Sequence, residues 1–298
     1  MRTLGHDVLL VCSMQTGRQA IGNVCRYPQK TFEILKRDKN MFPVDRHAIS
    51  YGPLKAQEGD LYLPAGARLP VVCLLHGGFW RMPYGRDQMT AIAQDLFLQG
   101  FAVWNMEYRR LGEPSSGWPG TFDDVKMGIN HLARLVADGL DLDLTRVAVV
   151  GHSAGGQLAL WAAARQAADG PNHTEPRVRI AAVAGLAAVA DLVQAHILGM
   201  GGSAITELMG GTPAEQPARY ESASPRALLP LGVPQLVLHG TADDVVPIET
   251  ARAYTQAARD AGDKVEFHEL AGAGHMDFLD PSSEAHTALR SWLVHLQE

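Results

Sequence analysis

Two hydrophobic patterns alternate along this chain. A continuous apolar run at 70–75 (PVVCLL) reads as a strand buried on both faces, and the mainly apolar stretches 101–106 (FAVWNM), 147–150 (VAVV), 178–186 and 234–239 (PQLVLH) read as further strands. Between them, apolar residues recur at helical spacing over 86–98, 122–137, 157–168 and 248–261. Gly100 stops the first of these helices. A strand at 265–269 and a closing helix at 282–296 complete the series. Ahead of it, short strands at 48–51 and 60–63, separated by a turn, read as an antiparallel edge. Strands that alternate with helices predict βαβ units, hence a mostly parallel central sheet with helices on both faces.

Two regions break the alternation. Residues 1–40 fit neither template for long, so the folded domain is expected to span 41–298, with 1–40 an extension or a misassigned start. Residues 188–225 lie between two sheet strands, carry little period and are too long for a simple crossover. They read as a small cap over the site, with an ordinary surface excursion as the alternative. The glycine-rich stretch 199–204 follows no clear strand, so it does not read as a dinucleotide loop.

The chemistry centres on G-H-S-A-G-G at 151–156, in which a strand enters a G-x-S-x-G turn and a helix leaves it. Ser153 would project from a strained turn. Side chains at Gly151 or Gly155 would clash with the neighbouring strand and helix, and the helix start would present N–H groups to an oxyanion. A serine nucleophile needs a base and an orienting acid, in the order Ser, acid, His on such a sheet. After the strand at 234–239 come Asp243 and Asp244; Asp243 is the first choice because the short loop turns it inward, and Asp244 is the next. After the last strand, small residues flank His275, which is placed to move the proton, while His268, His286 and His295 read as structural. His76-Gly77-Gly78-Phe79-Trp80 follows an early buried strand and can supply an oxyanion site, with the N–H groups of Gly78, Phe79 and Ala154 as donors. His76 reads as a structural hydrogen-bonder of that loop. Trp80 reads either as a wall of the substrate pocket, with Phe79, or as packing beneath the loop.

Composition excludes several classes. A net charge of −6 without a Lys/Arg cluster argues against a nucleic-acid binder. Cys12, Cys25 and Cys73 are odd in number and form neither a C-x-x-C pair nor a disulfide framework, which makes the cytoplasm the default. The apolar stretch at 180–190 ends at Asp191, short of the roughly 20 residues of a membrane span, and the run at 8–12 is too short for a secretory signal. Metal and nucleotide signatures are lacking, so no cofactor or metal is expected.

With these motifs in order, residues 45–298 resemble the α/β-hydrolase superfamily, esterase/lipase-like branch, alongside hormone-sensitive-lipase-like esterases, feruloyl-esterase-like hydrolases and kynurenine formamidases. H-G-G-F-W at 76–80 resembles the formamidase loop and departs from the H-G-G-G of many lipase-like esterases at Phe79. The resemblance of H-G-T-A-D-D-V-V-P at 239–247 to an H-G-x-x-D-x-x-V-P pattern favours Asp243 over Asp244. The resemblance of Tyr108-Arg109 and Trp118-Pro119…Asp124 to a stretch of these families implies a structural Arg109–Asp124 pair. The expected activity is cleavage of a small carboxylic ester through an acyl-enzyme, with N-formylkynurenine hydrolysis as the alternative. A non-catalytic binding protein of the same fold is a more distant reading. A prolyl-oligopeptidase-type enzyme is disfavoured, because the chain lacks room for a propeller domain. The implied partner is a small ester or formamide, and a homodimer is left open.

Overall fold

The computed structural model describes residues 46–168 and 178–296; the expected extension at 1–40, with Cys12 and Cys25, lies outside them. The strands are β1 (Arg46–Ser50), β2 (Glu58–Tyr62), β3 (Leu69–Leu75), β4 (Ala102–Met106), β5 (Leu142–His152), β6 (Ile180–Leu186), β7 (Gln235–Gly240) and β8 (Val265–Leu270). They form one 8-stranded sheet in the order β1-β2-β4-β3-β5-β6-β7-β8. The two pairings that involve β2 are antiparallel and the rest are parallel. Every residue of β3, β4 and β7 is buried, as in strands covered on both faces.

Among the helices, α1 (Thr90–Leu98) and α8 (Glu284–Leu293) cover one face. Ile92, Leu96, Leu289 and Leu293 pack there against Val72, Leu74, Val103, Val150 and Leu238. The opposite face carries α2 (Gly120–Ala137), α3 (Ala154–Ala168) and α7 (Ile248–Asp260). Buried polar groups fix two of these helices. Trp104 Nε1 of β4 donates to the Gly128 carbonyl of α2 at 3.0 Å, and Tyr254 of α7 donates to Gln235 of β7 at 2.7 Å. Cys73 is a buried free thiol on β3. Among the described residues, no helix is long and apolar enough to cross a membrane.

The largest departure from the predicted elements is β5, which starts at Leu142 rather than near 147. Its first half is polar. Asp143 accepts from Thr145, Arg146 and Arg68 there, so charge satisfied by local partners hides a strand that apolar spacing does not reveal. The segment between β6 and β7 holds α4 (Leu192–Ile197), α5 (Ala204–Met209) and α6 (Pro217–Ala223). Asp191 caps α4 by accepting from the Gln194 N–H at 3.0 Å, and Gly210 ends α5 in a left-handed conformation. The glycine-rich stretch is the turn between α4 and α5, with Gly199, Gly201 and Gly202 at φ 68°, 65° and 63°. Trp118 N–H bonds to the Leu208 carbonyl at 2.7 Å, and Trp161 Nε1 of α3 to that of Ser222 at 2.9 Å, so the segment is anchored on the sheet domain.

The expected Arg109–Asp124 pair is present and structural. Arg109 Nη2 lies 2.7 Å from Asp124 Oδ1, and its Nε and backbone N–H reach Oδ2 at 2.8 and 2.9 Å. Gln57 adds a bond of 2.7 Å to a carboxylate that is fully buried. Removing one partner of such a buried pair strands the other. Asp124→Ala is therefore expected to destabilise the fold by about 3 kcal/mol in urea unfolding, against less than about 0.5 kcal/mol for the exposed Asp123→Ala.

Candidate active site

The end of β5 and the start of α3 are joined by one residue, Ser153, at φ 55°. A left-handed serine costs on the order of 1–3 kcal/mol, so the surroundings must hold it. Its N–H donates to the Leu186 carbonyl of β6 at 2.8 Å, and its carbonyl accepts from Gln157 at 3.2 Å. A Cβ on Gly151 would strike the Gly155 backbone, and one on Gly155 would strike the carbonyls of Leu75 and His76. The serine thus sits where a strand end, a helix start and the adjacent loop meet at backbone contact.

Asp243 and His275 come from the loops after β7 and β8. His275 Nδ1 lies 2.8 Å from Asp243 Oδ2, while Oδ1 accepts from the N–H groups of Val245 and Val246 at 2.9 and 2.8 Å. Burial opposes the Asp243 charge, but hydrogen bonds from His239, His275 and Val246 hold its carboxyl well below the usual carboxylate range. It is therefore an anion that fixes His275 in the tautomer with Nδ1 protonated, leaving Nε2 free to take a proton. Asp244, the next candidate, is exposed.

Two further histidines, neither singled out from the sequence, support this arrangement. His239 Nε2 lies 2.7 Å from the Val246 carbonyl and 3.2 Å from Asp243 Oδ2, so it is a proton donor between two acceptors. His152 Nε2 donates to the His275 carbonyl at 2.9 Å, and the two rings lie 4.7 Å apart. The signal for both lay in the motifs themselves, as the His of H-G-x-x-D and the residue before the serine. His268 and His286 have other partners, Glu266 at 2.6 Å and Asp95 at 2.8 Å.

The loop after β3 lies against the elbow. A Cβ on Gly77 would come within 3.1 Å of Ser153 Cβ and 2.9 Å of His152 Nδ1. Gly78, Phe79 and Trp80 follow at φ 100°, 51° and 56°. Among the described residues, the N–H groups of Gly78 and Phe79 make no backbone hydrogen bond. Ala154 opens α3, where a helix has N–H groups without internal acceptors. His76 anchors the loop from below: Nε2 meets Glu107 at 2.6 Å, the ring stacks on Tyr108 at 4.3 Å, and Tyr108 Oη donates to the His76 carbonyl at 2.8 Å. Although burial raises the Glu107 pKa, His76 and Arg110 bring it below its ordinary value. Phe79 touches Gly201 between α4 and α5, so the β6–β7 segment abuts this loop. Of the two readings of Trp80, the structure shows the packing one. The ring is 0% exposed and its Nε1 donates to Gln157 at 3.0 Å, so it supports the loop from inside.

The sheet order, the strand–serine–helix elbow and the acid–histidine pair above the strand ends define an α/β-hydrolase of the esterase/lipase-like kind. The chain belongs to the BD-FAE family, whose model matches residues 60–257. It is 30% identical over 220 residues to Esterase LipQ of Mycobacterium tuberculosis, covering 72% of this chain and 51% of that protein. Similarity to Esterase LipC of the same organism is 28% over 285 residues, covering 88% of this chain and 67% of LipC. The chain thus spans between half and two thirds of the length of these relatives. Among solved structures, a truncated carbohydrate esterase from gut microbiota superposes with a TM-score of 0.72 at 21% identity, over 84% of this chain and 94% of that one.

Burial pushes the His152 imidazole down to about 3 and that of His131, on α2, to about 4. In the unfolded chain both protonate near ~6.5. The unfolded state therefore binds more protons as the pH falls below ~6.5, and stability falls with it, whereas Asp243 adds its own loss only below ~4. Urea midpoints should decline steadily from pH 7 to 4, and His152→Gln should flatten that decline. An unchanged slope in the variant would show that His152 is not held neutral.

Proposed function

We propose that the protein is a serine hydrolase that cleaves small carboxylic esters through an acyl-enzyme intermediate. The observation that carries this reading is the Asp243–His275 hydrogen bond of 2.8 Å, tied through His152 to the elbow that holds a left-handed Ser153. In the proposed reaction, Ser153 Oγ attacks the ester carbonyl carbon while His275 Nε2 takes its proton. The carbonyl oxygen becomes an oxyanion held by N–H groups of Ala154, Gly78 and Phe79, each donor contributing about 3–4 kcal/mol to the transition state. His275 then protonates the departing alkoxide as the C–O bond breaks, leaving an acyl-Ser153. Water, deprotonated by His275, attacks that acyl group, and Ser153 leaves with the proton restored. Asp243 stays ionised throughout and stabilises the imidazolium.

The names of the relatives support ester over formamide. The formamide reading rests on the H-G-G-F-W loop alone. In the same proposal the compartment is the cytoplasm, in keeping with the buried free thiol of Cys73 and checked by fractionation; a homodimer is checked by sedimentation.

A rate assay on a short p-nitrophenyl ester series and on N-formylkynurenine decides the substrate, with Ser153→Ala as blank. The expected result is ester turnover well above blank and a much lower kcat/KM for the formamide; the reverse order would make the protein a formamidase. Ser153→Ala and His275→Ala should each lower kcat by about 10⁴-fold or more, and Asp243→Asn by about 10³–10⁴-fold. Asp244→Asn should stay within about threefold of the parent. Greater damage from Asp244→Asn would place the acid one residue further on.

A further inference from the structure

Gly78, Phe79 and Trp80 form an unbroken run of left-handed residues, two of them with side chains. L-residues avoid this region, and the turn is closed by backbone bonds, from the Arg81 N–H to the Gly78 carbonyl at 3.0 Å and from the Leu111 N–H to the Trp80 carbonyl at 2.6 Å. Two side-chain ties fix where the turn sits against its neighbours. The outer tie, from Arg81 to Ser203 at 2.9 Å and Glu207 at 2.7 Å, is largely solvated and correspondingly weak. The inner tie is sealed. Trp80 and Gln157 are both 0% exposed; the indole N–H donates to Gln157 Oε1 at 3.0 Å, and Gln157 Nε2 donates to the Ala223 carbonyl of α6 at 2.8 Å. Both ends of one buried amide are thus used, which favours a single orientation.

The position of Gln157 gives the tie its consequence. It lies one helical turn after the nucleophile, and its own N–H bonds to the Ser153 carbonyl at 3.2 Å. One residue therefore binds the elbow through its backbone and the Gly78–Trp80 loop through its side chain. The oxyanion donors come from these same two pieces, Ala154 from the elbow helix and Gly78 with Phe79 from the loop. We infer that Gln157 is a positioning residue that sets the spacing between the two halves of the oxyanion site, acting through Trp80. The inference rests on the ester-cleaving reading of Ser153. An apolar side chain at 157 would leave the indole N–H and the Ala223 carbonyl buried and unpaired, and would free the loop to shift against the elbow.

The test uses a matched phenyl ester and O-phenyl thionoester, which differ only in the atom that becomes the anion. Sulfur is larger and a weaker hydrogen-bond acceptor, so the ratio of the two kcat/KM values reports on the oxyanion donors. In Gln157→Leu, kcat for the ester should fall about 10–100-fold, KM should change less than about threefold, and the ester-to-thionoester ratio should drop by about tenfold or more. Trp80→Phe removes only the other end of the same bond and should lower the ratio in the same direction, which keeps the test decisive if Gln157→Leu does not fold. A loss of active protein lowers both rates in parallel and leaves the ratio at the parent value; that result in a folded variant overturns the inference. If the parent itself shows no Ser153-dependent cleavage of either compound, the reading beneath the inference fails, and the inference with it.

Discussion

The architecture depends on one strained residue. Ser153 is left-handed between the last residue of β5 and the first of α3, and nothing in its own chemistry favours that conformation. Contacts from three directions hold it: the β6 carbonyl of Leu186, the Gln157 N–H from within α3, and the loop after β3 pressed against Gly155. Each of these has a backbone atom at closest approach, which is why glycine is required at 151 and 155. The resulting turn brings the serine, the N–H of Ala154 and the Gly78–Trp80 loop to one end of the sheet.

The acid–base half is built by a different principle. Asp243 is a buried carboxylate, which burial alone would neutralise. It remains charged because backbone N–H groups occupy Oδ1 and two histidines converge on Oδ2. His239 and His152 then play complementary parts, one holding the acid and the other the backbone of the base. Both are buried: His239 donates from Nε2 to the Val246 carbonyl as well, and His152 is kept neutral by burial. The site carries one negative charge aimed at one imidazole, the arrangement that stabilises an imidazolium as it forms.

The architecture was legible where burial is two-sided. Strands such as Leu69–Leu75 and Gln235–Gly240 are mainly apolar because helices cover both faces, and their loops carry the motif residues. The start of β5 was not legible, since Asp143, Thr145 and Arg146 satisfy one another locally and imitate a loop. Helices of six or seven residues in the β6–β7 segment are too short to show a period. For the site, the serine, acid and base were readable because each follows a strand in a fixed order. The roles of His152 and Gln157 were not, because each depends on a partner that only the folded sheet brings near, whereas the partners of His239 lie in its own loop. Trp80 illustrates the limit: an aromatic beside an oxyanion loop suits a pocket wall or a buried anchor equally well, and only its bond to Gln157 separates the two.

Reaction with a fluorophosphonate ester tests the central claim most directly, because the probe forms a stable bond only with a serine whose base and oxyanion donors are assembled. Intact-mass and peptide mapping should show a single adduct, on Ser153, whose rate of formation collapses when His275 is replaced by alanine. An adduct on a different residue, or no adduct on the folded protein, would contradict the account of Ser153 as the activated nucleophile of this fold.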